Sequence, residues 1–222
     1  MKKNSLKSIL LLAVSLILII GSIVGTTTAL PSAVSEDRIV DAQTKNVEVA
    51  LVENGTTLAD EGTLLDGMVG EDESVLLDKK YDEQLAVTNQ GSVDEYVRVT
   101  IYKSWYYNGE KDTELDPSMI DLNLTGNWIE DTAASTEERT VLYLASPLAA
   151  GATSALFADG LTIKSDVANI TGASATAGSS FFYWYDDCTF EVSAKVDAVQ
   201  THNAKEAVTS AWGESAASCL GL

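Results

Sequence analysis

Cys188, Phe190, Val192, Ala194 and Val196 alternate without interruption against Thr189, Glu191, Ser193, Lys195 and Asp197. Successive side chains of an extended backbone point to opposite faces, so this stretch predicts a strand with one buried side. Beyond Val199 the spacing changes. Ala204, Ala207, Val208, Ala211 and Trp212 recur at helical intervals, which predicts a short amphipathic helix. Asn203 stands where an N-cap belongs, Glu206 occupies the third helical position, and Gly213 supplies the stop.

The same alternation runs from Glu95 to Trp105, where Val97, Val99, Ile101 and Lys103 oppose Tyr96, Arg98, Thr100, Tyr102 and Ser104. Apolar and β-branched residues on both sides predict a central strand. Further strands are predicted over 47–52, 74–78, 84–88, 127–129, 140–144, 155–157, 161–164 and 181–185. Asn89-Gln90-Gly91 and Asn108-Gly109 mark turns, and Asp116-Pro117 opens a short helical turn. Residues 55–73, with glycines among Asp60, Glu61, Asp66, Glu71, Asp72 and Glu73, read as a mobile acidic loop; they lack the ligand spacing of an EF-hand calcium site. A second loop covers 173–180. Strands at roughly dozen-residue intervals with little helix predict an all-β fold: an antiparallel, jelly-roll-like β-sandwich with a few short helices, including one near the C-terminus. The sandwich domain spans 47–213, and 214–222 form a C-terminal tail.

Lys2, Lys3 and Lys7 precede an apolar run beginning at Ile9, after which glycines and threonines lower the hydrophobicity. This is the pattern of a secretory signal over residues 1–29, with cleavage between Ala29 and Leu30. An uncleaved anchor is the rival, the run reaching about 16 residues against the ~20 of a membrane span. Either way the body of the protein is expected outside the cytoplasm, secreted or at the cell surface, touching the membrane only through the leader. Residues 30–46 form a polar arm whose larger apolar side chains are Leu30, Val34, Ile39 and Val40. Composition adds one constraint: the formal net charge is −19, a field that repels nucleic acid.

Three phrases stand together in the chain: Val87-Thr88-Asn89-Gln90-Gly91 leading to Tyr96-Val97-Arg98-Val99-Thr100-Ile101; Pro147-Leu148 with the stretch 156–161; and Asp197-Ala198-Val199-Gln200-Thr201-His202-Asn203-Ala204 ending in Ala211-Trp212-Gly213. Behind such a leader they resemble the TasA and camelysin family of secreted bacterial proteins, over about 47–213. The resemblance implies a subunit of extracellular biofilm fibres, released by a dedicated signal peptidase, that polymerises with itself or with a related fibre subunit. It also implies that the N-terminal arm of one subunit adds as a strand to the next. The donor arm would here be drawn from Leu30, Val34, Ile39 and Val40, although Glu36 and Arg38 interrupt its apolar alternation.

No catalytic constellation, cofactor motif or metal-ligand set stands out. Camelysin-like members are described as metalloproteases, so the resemblance raises that alternative, yet the chain has one histidine, His202, where helical zinc proteases need two on one face. A site built from His202 with Asp197 or Glu206 is the remaining form of that reading. A second alternative is a monomeric surface-binding module or adhesin using Trp105, Tyr106 and Tyr107 as a platform. Cys188 and Cys219 are the only cysteines. In an exported chain they permit a disulfide; the other reading is two independent thiols.

Overall fold

In the computed structural model the alternation at the C-terminal end folds as its period requires. Strand β13 (Cys188–Gln200) pairs antiparallel with β5 (Glu95–Tyr107) over its whole length, from Cys188 opposite Tyr107 to Gln200 opposite Glu95. The structure describes residues 46–65, 68, 74–169, 171–173, 181–183, 185 and 188–222, all within the unit Thr44–Leu222. The leader, the Ala29–Leu30 junction and the arm residues Leu30, Val34, Ile39 and Val40 lie outside the described residues. So do most of 66–73 and the loop 174–180.

Two antiparallel sheets face each other. The first holds, in spatial order, β2 (Thr56–Thr57), β1 (Val49–Glu53), β4 (Lys80–Asn89), β10 (Ala158–Ile163) and β7 (Ile120–Leu124). The second runs β3 (Glu61–Thr63), β13, β5, β9 (Arg139–Leu144), β8 (Trp128–Glu130), with β6 (Glu110–Asp112) folded back on the end of β5. A two-stranded ribbon pairs β11 (Thr171–Ala173) with β12 (Phe181–Tyr183). The architecture is the antiparallel β-sandwich expected from the strand rhythm. Alternate residues of both sheets, among them Leu51, Leu85, Val87, Val97, Val99, Ile101, Leu142 and Leu161, fill one core together with Phe157 and are almost wholly inaccessible. Burying such a set is the main favourable term for a fold of this kind.

Four expectations need correction. Residues 74–78 are not a strand: Leu76 and Leu77 are exposed, and Asp78 takes a left-handed φ of 57°, which breaks the extension so that pairing starts at Lys80. Residues 155–157 are not a strand either, because the carbonyls of the first two serve side chains. Ala155 O accepts from Trp128 Nε1 at 3.1 Å, and Leu156 O accepts from Thr125 Oγ1. Within the supposed acidic loop 55–73, β2 and β3 form short ladders on the two sheets. The supposed tail carries a helix, α2 (Glu214–Cys219), directly after α1 (Ala204–Trp212).

These helices cover the outer face of the second sheet at its Gln200 end, over a separate cluster of Val141, Tyr143, Val208, Ala216 and Ala217. Trp212 is the anchor: the Arg98 guanidinium lies 5.2 Å from its ring centre, the Tyr143 ring 5.6 Å away, and Arg98 Nη2 donates to Asp197 Oδ2 at 2.8 Å. Asn203 does start α1, but in the left-handed conformation (φ 51°) and with no side-chain cap. Asparagine tolerates that region, so it makes the reversal out of β13 instead of a capping box. Ser215 Oγ ties α2 to buried Asp131, at 3.0 and 2.9 Å from the two carboxylate oxygens.

The bond permitted between Cys188 and Cys219 is not made. Cys188 opens β13 and packs against the inner core, whereas Cys219 packs in the outer cluster that includes Val199. The strand from Cys188 to Val199 spans roughly 36 Å, and the sheet itself lies between the two positions. A disulfide needs Cα atoms about 4.4–6.8 Å apart.

Candidate subunit interface

The described residues close one flank of the sandwich only in part. In β1, Leu51 directs its backbone away from β4: its N–H donates to Ala59 O at 3.0 Å and its C=O accepts from Leu58 N at 2.8 Å. In β13, Val196 and Val192 direct theirs away from β5, with Val196 N donating to Asp60 O at 2.7 Å and Val192 O accepting from Leu64 N at 2.8 Å. Residues 56–64 thus cross from the rim of one sheet to the rim of the other, closing both. Backbone direction alternates along a strand, so Val49 in β1 and Ala198 in β13 face the same flank, and the crossing segment stops short of both. Among the described residues neither has a ladder partner there.

Between these two uncovered rims lies a cleft of about 510 Å³, bordered by Val47, Val49, Leu58, Val196 and Ala198 with Glu48, Asp60 and Asp197 around it. Unpaired N–H and C=O groups beside apolar side chains form a template for an added strand. Asn46 leads into Val47 at the edge of this cleft.

The entry point is clamped to the turn after β4. Asn46 N donates to Ser92 Oγ at 2.9 Å, Ser92 N donates to Asn46 O at 2.9 Å, and Gln90 N and Gly91 N donate to Glu48 O at 2.7 and 3.0 Å. A Cβ at Gly91 would collide with Asn46 O and Glu95 Oε1, so only glycine allows this approach. Buried Asn89 holds the turn from behind: Nδ2 donates to Val93 O at 2.8 Å and to Leu148 O at 3.0 Å, and Oδ1 accepts from Gly91 N at 2.8 Å. Asn89 through Ser92 are therefore the seat of residues 46–48.

The opposite flank is defended differently. Edge strand β8 is three residues long, and Lys103, on the inward side of β5, donates from Nζ to Ile120 O on edge strand β7 at 2.9 Å. Burial holds the Lys103 amine below the usual lysine range, against the opposing pull of Asp121. Short edges and inward-pointing charges are the means by which sheets avoid pairing with neighbours.

Comparison with protein-family models, with curated proteins and with solved structures finds no match. The residues named for other readings are dispersed. Trp105 is buried, donates from Nε1 to Asp116 O at 2.9 Å and meets Tyr185 and Phe190 edge-on; it belongs to the core, not to a platform with Tyr107, which is exposed. His202 is exposed on the turn after β13, and Asp197 is engaged by Arg98. Among the described residues no three His, Cys, Asp or Glu side chains are grouped to hold a metal ion. Sequence reasoning missed the clamp, though Glu95 falling on the inward side of its strand with Val97 and Val99 was a signal of it.

Proposed function

We propose that this chain is a secreted structural subunit of extracellular fibres, assembled by lending the arm 30–46 of one subunit as a strand to the cleft of the next. The observation that carries the reading is the flank that the described residues leave open between Val49 and Ala198, with residues 46–47 at its edge. The leader and the resemblance of the three phrases to the TasA and camelysin family support it. Fully extended at ~3.3 Å per residue, the arm reaches roughly 55 Å, enough to leave its own domain. Each contact is head to tail and does not close on itself, so growth is open-ended.

Electron microscopy of the protein beginning at Leu30, beside a form lacking residues 30–41, tests this. Filaments are expected from the first and none from the second. Filaments of unchanged length and number without the arm would end the strand-lending mechanism. A second expectation follows from charge. The cleft is ringed by Glu48, Asp60 and Asp197, the arm carries Glu36, Asp37 and Asp41 against Arg38 and Lys45, and the chain as a whole has a formal net charge of −19, so subunits of like charge meet. Raising ionic strength from about 0.01 M to about 0.15 M shortens the screening length from ~30 to ~8 Å. Light scattering should therefore show faster assembly with salt; slower assembly would contradict this placement of the arm.

A further inference from the structure

Glu95 opens β5 with its side chain turned inward, and it is completely buried. Its backbone is pinned by exchange with Leu148, N–H to O at 3.0 Å and O from N–H at 2.7 Å. Oε1 accepts the Glu48 N–H at 3.1 Å, while Oε2 is buried with no hydrogen-bond partner. Among the described residues no basic side chain pairs with either oxygen. Among the described residues the charge that acts on it is that of Glu48; Gly91 of the β4 turn lies against Oε1, Leu148 pairs with its backbone, and Gln200 stands opposite on β13. The Glu48 carboxylate is itself turned onto Asn46 Nδ2 at 2.7 Å.

A carboxylate removed from water without a counter-charge is costly, so such a group stays neutral until its surroundings open. Burial pushes the Glu95 carboxyl above the usual glutamate value, and the Glu48 charge acts in the same direction, against the lowering effect of the Glu48 N–H. We propose that Glu95 is a pH-sensitive latch on the root of the N-terminal arm. Protonated, it closes beneath residues 46–48; ionised, it must reach water, which breaks its bond to Glu48 N–H and unclamps the stretch through which the arm leaves the domain. The link from latch to fibre growth rests on the strand-lending reading, but the latch does not.

The sign follows from which form ionises first. Below the ordinary glutamate value both closed and open forms are protonated, and the latch is tightest. Above it the open form ionises before the closed one, so the opening equilibrium rises about tenfold per pH unit until the closed form ionises too, and then levels off.

Hydrogen exchange on the full chain, corrected for intrinsic rates, reads this directly as the protection of residues 46–50 and 90–92 against pH. In the unsubstituted protein protection should fall as pH rises through the Glu95 titration. In Glu95→Gln, which keeps an acceptor for Glu48 N–H but cannot ionise, it should stay flat. Glu48→Gln removes the neighbouring charge and should move the midpoint to lower pH. Flat protection in the unsubstituted protein, an unchanged profile in Glu95→Gln, or an unmoved midpoint in Glu48→Gln each overturns the latch. The last arm of the test stands even if Glu95→Gln fails to fold. Filaments are scored separately by microscopy, so a working latch without filaments at any pH counts against strand lending alone.

Discussion

Val49→Pro is expected to stop filament growth while leaving the domain folded. The Val49 N–H points away from β4, to the uncovered rim, so proline there removes no bond of the β1–β4 ladder. Proline is tolerated on edge strands for this reason. An incoming strand would lose a ladder bond worth about 1 kcal/mol, and the ring would also stand where its carbonyl must approach. Filament elongation should fall at least about tenfold, with the melting temperature lowered by only a few degrees. Ala198→Pro applies the same block to the rim of β13. If only one variant stops growth, the arm joins that sheet; if both polymerise at the normal rate, the cleft is not the acceptor.

Phe157→Ala carries the largest expected loss of stability. The ring is inaccessible to solvent and meets Trp128 edge-on with centres 5.8 Å apart. Its backbone bridges two strands, N–H to Leu85 O at 2.7 Å and O from Thr125 N–H at 3.0 Å. Removing a buried phenyl group leaves a cavity that a close-packed core fills only in part, at a cost of about 3–5 kcal/mol. That is a large share of a typical domain's stability of about 5–15 kcal/mol, and it lowers the melting temperature by on the order of 10 °C. Chemical denaturation of Phe157→Ala beside Phe157→Leu checks it, with the leucine variant losing clearly less. A loss below about 1 kcal/mol would mean that this part of the sandwich is not packed as described.

The legible parts of the fold are those where a short-range signal and the tertiary outcome agree. Asn108-Gly109 reads as a hairpin turn, and both residues do take left-handed angles, φ 52° and 80°. Asn54-Gly55 is the same dipeptide with nearly the same angles, 49° and 82°. It turns β1 into β2, and its meaning was hidden by the acidic, glycine-rich stretch behind it. That stretch is too polar to predict a strand, yet residues 56–64 find partners on both rims. Their pairing is supplied by the sandwich and owes little to their own propensity. Residues 214–219 are similar: their small side chains show little amphipathic contrast, but Ala216 and Ala217 are buried because the outer face of β9 is apolar.

Periodicity alone determined the two central strands, the helix after β13 and the all-β class, because a side chain's face depends only on its place in the local repeat. It also placed Glu95 and Lys103 on the inward side of β5, although it assigned neither a partner. Which rims the described residues leave uncovered, that Cys188 and Cys219 lie far apart, and that Glu95 accepts from the backbone of Glu48 were decided by the tertiary structure alone. Those are relations between segments distant in sequence, and they depend on which strands become neighbours and where each ladder ends.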